Sequence, residues 1–190
     1  MIVLGIDPGS RRCGYGVVVR EAGRLRVVAS GVLAPGGLPV AERLARILDG
    51  LEEVIARVRP AEVSVEAVFA GASPRSALVL GQARGVALAA AARAGLPVFE
   101  YAPARVKLAF TGNGRAGKDQ MLRTARMLLG MAPGLSDEAD ALALAVCHLA
   151  TRPLRLAGRA SGGLPLAPSV SKARALERLR PARRDHRRGA

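Results

Sequence analysis

The chain has 190 residues, half of them hydrophobic, and a formal net charge of +14 from 29 Lys+Arg against 15 Asp+Glu. That length suits one domain with one good core, and no apolar run approaches the roughly 18 residues a membrane span needs. Cys13 and Cys147 sit in unrelated contexts, which argues against a disulfide scaffold or a zinc site and for reduced thiols in the cytoplasm.

The basic balance favours a polyanion, most simply nucleic acid, held through phosphate neutralisation and counterion release. Its distribution divides the chain. Residues 1–151 carry 18 Lys+Arg against 13 Asp+Glu, whereas 152–190 carry 11 against 2. We therefore expect a folded domain over 1–153 and a Gly/Pro-rich linker with a basic C-terminal tail over 154–190. The tail serves either solubility or phosphate binding.

Met1-Ile2-Val3-Leu4-Gly5-Ile6-Asp7 reads as the first strand of the fold and lacks the basic region and core of a signal peptide. Residues 14–20 and 25–33, rich in Val and Leu and separated by glycine turns, read as two further strands. The short links favour antiparallel pairing. From Pro39 to Arg59, Leu44, Ile47, Leu48, Leu51, Ile55 and Val58 recur at helical spacing, and Pro60 ends that helix.

Val63 to Glu66 is a fourth strand, and Ser73-Pro74 opens an Ala- and Leu-rich helix running to about Arg93. A short strand over Leu96–Glu100 precedes a helix near Pro103–Phe110. Thr111 to Gly117, with three glycines, reads as a flexible loop before a helix that begins at Lys118. Ser136 is the expected N-cap of the last core helix, with Asp137, Glu138 and Asp140 in its first turn. Gly158–Ser169 reads as linker and Lys172–Arg180 as one short basic helix. An antiparallel start followed by alternating helices and strands predicts an α/β fold with a five-stranded mixed sheet flanked by helices.

Asp7 and Glu66 both end strands, which is where open α/β sheets place ligand sites if the strands are neighbours. Asp137 and Asp140, spaced i and i+3, share a helix face. Taken alone they read as helix-capping residues. If all four converge, their repulsion needs cations, and oxygen ligands call for hard ones such as Mg²⁺ or Mn²⁺. Two ions about 4 Å apart suit attack of water on a phosphodiester, which joins the acidic site to the basic surface.

Ile6-Asp7-Pro8-Gly9-Ser10 with Gly14-Tyr15-Gly16, Val65-Glu66-Ala67-Val68-Phe69, Leu80-Gly81-Gln82-Ala83-Arg84-Gly85-Val86, and Asp137-Glu138-Ala139-Asp140-Ala141-Leu142-Ala143 carry a resemblance. Together, over about residues 1–150, they resemble the RuvC family of Holliday-junction resolvases. The resemblance implies a ribonuclease-H-like fold, a homodimer, and Mg²⁺-dependent symmetric nicking of four-way junction DNA in recombination and repair. Its four acidic positions fall on Asp7, Glu66, Asp137 and Asp140, which would hold two Mg²⁺ per subunit, with Mn²⁺ as a substitute, and leave 5′-phosphate and 3′-hydroxyl ends. A branch-migration complex of the RuvA and RuvB type is implied as partner, and no membrane.

Arginine outnumbers lysine 26 to 3, yet Lys107 and Lys118 flank the glycine-rich loop. Retention of a compact ammonium against that bias points to a positional need, and the family places functional lysines at both positions. Phe69 follows Glu66 in an expected loop, where a ring can either pack beneath the loop or stack on an unpaired base, as the matching aromatic does in the family. Arg75, Arg84, Arg115 and Arg123 are candidate phosphate contacts. His148 reads as a satisfied helix-end histidine, and Glu100 and Glu138 as surface charges. An actin-like phosphate-binding fold would need a second lobe. A ribonuclease-H-like enzyme acting on RNA–DNA hybrid would share the acids, and a noncatalytic DNA-binding module would not need them.

Overall fold

An unbroken apolar run needs cover on both faces, and Ile2–Asp7 (β1) receives it. In the computed structural model, which describes the backbone of residues 1–67 and 74–157 and the side chains of 1–67 and 76–152, β1 is the middle strand of five. Leu4 and Ile6 enter one core beneath Val40–Val58 (α1) and Pro74–Arg93 (α2). Val3 enters another beneath Pro103–Thr111 (α3), Lys118–Leu129 (α4) and Ser136–Ala157 (α5).

Cys13–Glu21 (β2) and Arg24–Leu33 (β3) are joined by Ala22-Gly23, both at positive φ, a two-residue turn whose twist suits antiparallel strands. β2 pairs antiparallel with β1 on one side. On the other, Glu62–Glu66 (β4) runs parallel to β1, and Val98–Tyr101 (β5) parallel to β4. The order is β3-β2-β1-β4-β5. The expected mixed sheet and every expected element within the described residues are present, with ends displaced by a residue or two.

Two differences are informative. α5 continues through Pro153 to Ala157, past the domain edge expected at residue 153. The loop after α3 is tied rather than loose: the Thr111 hydroxyl donates to the Lys107 carbonyl at 2.9 Å, and Asn113 Oδ1 accepts from the Arg115 N–H at 2.9 Å. Phe69, the expected linker and the expected basic helix lie outside the described residues, as does the Arg75 side chain.

α5 lies unusually close to the sheet because glycines clear its path. Gly5 and Gly16 are cross-strand partners, and Gly14 pairs with Asp7. A Cβ at Gly5 would stand 2.0 Å from the Ala141 carbonyl oxygen, and one at Gly14 would stand 2.0 Å from that of Asp137. Both obstacles are backbone, which cannot swing aside. The glycines thus let strand and helix backbones touch.

His148 is not at a helix end but wholly buried two turns beyond Asp140. Its Nδ1 meets the Tyr101 hydroxyl at 2.6 Å and its Nε2 meets the Glu62 carboxylate, which also accepts from Arg152 Nε at 3.1 Å. This network fastens the far half of α5 to β4 and β5. Truncation to alanine would remove two buried hydrogen bonds, leaving Glu62 to Arg152 and the Tyr101 hydroxyl to Thr151, and would leave a void. We expect His148→Ala to lose about 3 to 5 kcal/mol of unfolding free energy in urea titration; a loss below about 1 kcal/mol would show that the network bears little of the fold.

Candidate active site

The parallel pairing of β1 with β4 brings two carboxylates to one edge of the sheet. Ile6 is registered on Val65, so Asp7 and Glu66 leave adjacent strand ends together. The first turn of α5 is pressed against β2 at Gly14, the partner of Asp7, and it carries Asp137 and Asp140 to the same edge. Helix capping alone does not describe these two residues, because they act on the strand-end acids.

That coupling shows in the titration of the group. Asp7 is pushed up from 3.8 to about 7 by burial and then by the negative charges of Glu66, Asp140 and Asp137. Burial and Asp140 raise Glu66, against the opposing pull of Lys107. Asp140 is raised by burial and Asp137, with Lys107 and Lys118 pulling the other way. Burial, with Asp7 and Asp137 beyond it, pushes the Cys13 thiol up to about 12, so it stays protonated and inert.

Both lysines expected at the site therefore reach its field. Lys107 extends from α3, and Lys118 starts α4, with the tied loop between them. Arg115 is exposed in that loop. Arg84 lies on α2 and is ion-paired with Glu100, so a phosphate would have to displace a carboxylate to reach it. Glu138 is not a loose surface charge either: its Oε2 accepts the Gly134 N–H at 2.8 Å and secures the turn leading into α5.

One contributor has no counterpart in the sequence-based expectations. Arg12, at the end of the turn that follows Asp7, stands 4.0 Å from Asp137 Oδ2. Its signal was nearness to Asp7, but nothing local ties it to a helix far along the chain.

The four acids supply oxygen donors alone, and their mutual repulsion is of the kind a hard divalent cation relieves. Among the described residues, no three or more His, Cys, Asp or Glu side chains are drawn together closely enough to hold a metal ion between them. The acids are coupled through their charges without being drawn onto one point. By donor chemistry, carboxylate oxygens suit hard cations that keep part of their coordination for water and substrate.

Comparison with known proteins agrees with this chemistry. The family model described as crossover junction endodeoxyribonuclease RuvC matches residues 3–148. A protein of that name from Anaeromyxobacter dehalogenans (strain 2CP-C) is 76% identical over 191 residues, covering 98% of each chain, and one from Myxococcus xanthus is 51% identical over 153 residues, covering 78% of this chain and 80% of its own. Among solved structures, T. thermophilus RuvC in complex with Holliday junction substrate superposes with a TM-score of 0.75 at 39% identity, over 81% of this chain and 96% of that one. With the sheet order and these matches in agreement, the chain belongs to the RuvC family of crossover junction endodeoxyribonucleases, which are metal-dependent nucleases.

Proposed function

We infer that this chain resolves four-way DNA junctions by paired, symmetric hydrolysis of phosphodiesters, with Asp7, Glu66, Asp137 and Asp140 as the metal-binding acids. The observation that carries the reading is the convergence of these acids at the shared end of β1, β4 and α5. Two Mg²⁺ per subunit, with Mn²⁺ as a substitute, are the proposed cofactors, since carboxylate oxygens favour hard cations. When bound, they supply activation of the attacking water and stabilisation of the leaving 3′-oxygen.

The chain's own residues then have separable tasks. Asp7 must give up a proton held to about pH 7 before it can act as a ligand. Lys107 and Lys118 are proposed to hold a scissile phosphate against the acids; the influence of Lys107 on Glu66 and of both lysines on Asp140 supports this. Arg115, exposed beside them, is a proposed backbone contact. Phe69 is proposed to stack on an unpaired base, and Arg75 and Arg84 to meet phosphates. The products are 5′-phosphate and 3′-hydroxyl ends.

A two-fold dimer would present two such sites to matching strands of a junction, and a RuvA and RuvB branch-migration complex is the proposed partner. We place the protein in the cytoplasm; no helix among the described residues is long and apolar enough to cross a membrane. The domain edge near 153 and the tail's contribution to DNA affinity are part of the same reading.

A substrate panel tests it. We expect the full chain with Mg²⁺ to nick synthetic four-way junctions on opposed strands, giving ligatable products, and to leave linear duplex of the same sequence largely uncut. Preferential cutting of RNA–DNA hybrid would replace the resolvase reading with that of a hybrid nuclease.

A further inference from the structure

The turn between β1 and β2 does more than reverse the chain. It places a guanidinium beside Asp137. A Cβ at Gly9 would stand 2.3 Å from the Arg12 carbonyl oxygen, so the turn is folded back on itself and fixes where Arg12 begins. Two residues on, Gly14 lies against the Asp137 backbone. Arg12 is thereby held over the first turn of α5 from both sides.

Its contact with Asp137 is one of charge only. Nη1 stands 4.0 Å from Oδ2, beyond hydrogen-bond length, and the Arg12 side chain is 58% exposed while that of Asp137 is 27% exposed. The planar fork of donors is largely unspent. Among the described residues, Arg12 is the one cation within ion-pair distance of any of the four acids; Lys107 and Lys118 act on Glu66 and Asp140 from farther off.

We propose that Arg12 exchanges partners during the reaction cycle, neutralising Asp137 in the metal-free enzyme and turning to a phosphate of the bound DNA strand once a divalent cation claims that carboxylate. The proposal rests on the reading of these acids as metal ligands in a junction nuclease. Arg12 stands nearest Asp137 Oδ2, and a cation held by the same carboxylate would compete with it for that charge. A guanidinium released there stands on the solvent side of the acids, from which a DNA strand must approach, and its fork matches two phosphate oxygens.

Competition before DNA and cooperation with DNA give opposite signs in one variant. Mg²⁺ affinity of the full chain without DNA is read by calorimetry, and four-way junction affinity is read in Ca²⁺ over a series of salt concentrations. Relative to wild type, R12Q should bind Mg²⁺ about 2- to 5-fold more tightly, the range of an exposed ion pair. It should bind the junction more weakly, with a salt slope lower by about one phosphate contact. Arg11, exposed in the same turn and not ion-paired with any of the four acids, controls for general charge. R12K should keep wild-type Mg²⁺ affinity and recover only part of the junction affinity, since it restores charge without the fork.

If R12Q tightens Mg²⁺ binding no more than R11Q, or weakens both metal and junction binding, partner exchange is wrong and Arg12 merely shapes the turn. If wild type itself shows no Mg²⁺ binding, the reading of the acids falls first and the proposal with it.

Discussion

Asp7→Asn lowers the single-turnover rate of junction cleavage by on the order of 10³-fold, while junction binding in Ca²⁺ stays within a few-fold of wild type. The substitution keeps shape and removes one charge and one oxygen ligand. Its effect on rate is large because a Lewis acid supplies several kcal/mol and each 1.36 kcal/mol is a factor of ten. Its effect on binding is small because Asp7 repels phosphates in the metal-free pocket, and losing that repulsion offsets the lost cation. Cutting by the variant at near the wild-type rate would remove Asp7 from the metal site. A parallel loss of cleavage and binding would point to misfolding instead.

Metal-free protein loses stability as pH rises from 5 to 8, and Mg²⁺ restores it at the upper end. The sign follows from Asp7, whose folded pKa of about 7 lies above its ordinary 3.8. Between those values the folded state binds more protons than the unfolded one, so the free energy of unfolding falls with rising pH. Glu66 and Asp140 are raised as well and act in the same direction. The loss is on the order of 2 to 4 kcal/mol, taken from the shift in Asp7 at about 1.4 kcal/mol per pH unit. Most ordinary carboxylates are already ionised at pH 5, and the difference between wild type and Asp7→Asn isolates the contribution of this residue. Urea midpoints at pH 5, 6.5 and 8, with and without Mg²⁺, measure both effects. A wild-type curve that rises toward pH 8 without metal, or a stabilisation by Mg²⁺ as great at pH 5 as at pH 8, would contradict this account.

Much of the site could be read from single residues in poor company. Asp7 follows five apolar or small residues, and Glu66 ends a Val-rich strand, where packing offers no reason for a carboxylate. The three-residue spacing of Asp137 and Asp140 already put both on one helical face. Their convergence was conditional on strand order, because periodicity reports which face a strand buries and not which strand lies beside it. The parallel pairing of β1 with β4 settled that condition.

Long-range polar contacts were illegible for the same reason. His148 reaches Glu62 across 86 residues and Tyr101 across 47, and neither partner has a local pattern that names the other. Arg84 and Arg115 carry equal charge in the sequence, yet one is spent on Glu100 and the other is exposed in a loop. Glycine inside a strand did carry a signal at positions 5, 14 and 16, but the backbone it admits belongs to a helix near the other end of the described fold.

The contact of α5 with Gly5 and Gly14 has a consequence for how this enzyme can change over time. Helix and sheet meet there through main-chain atoms, so their separation is fixed by covalent dimensions that every sequence shares. Side-chain volume elsewhere has no lever on it. The layer formed by α1 and α2 with Ile47, Leu51, Val63 and Val65 lies on the opposite face of the sheet and meets it through side chains, where volume-compensating substitutions are accommodated. Mutational tolerance is thereby divided between the two faces: one can adapt to temperature or host, while the other keeps the distances on which the chemistry depends.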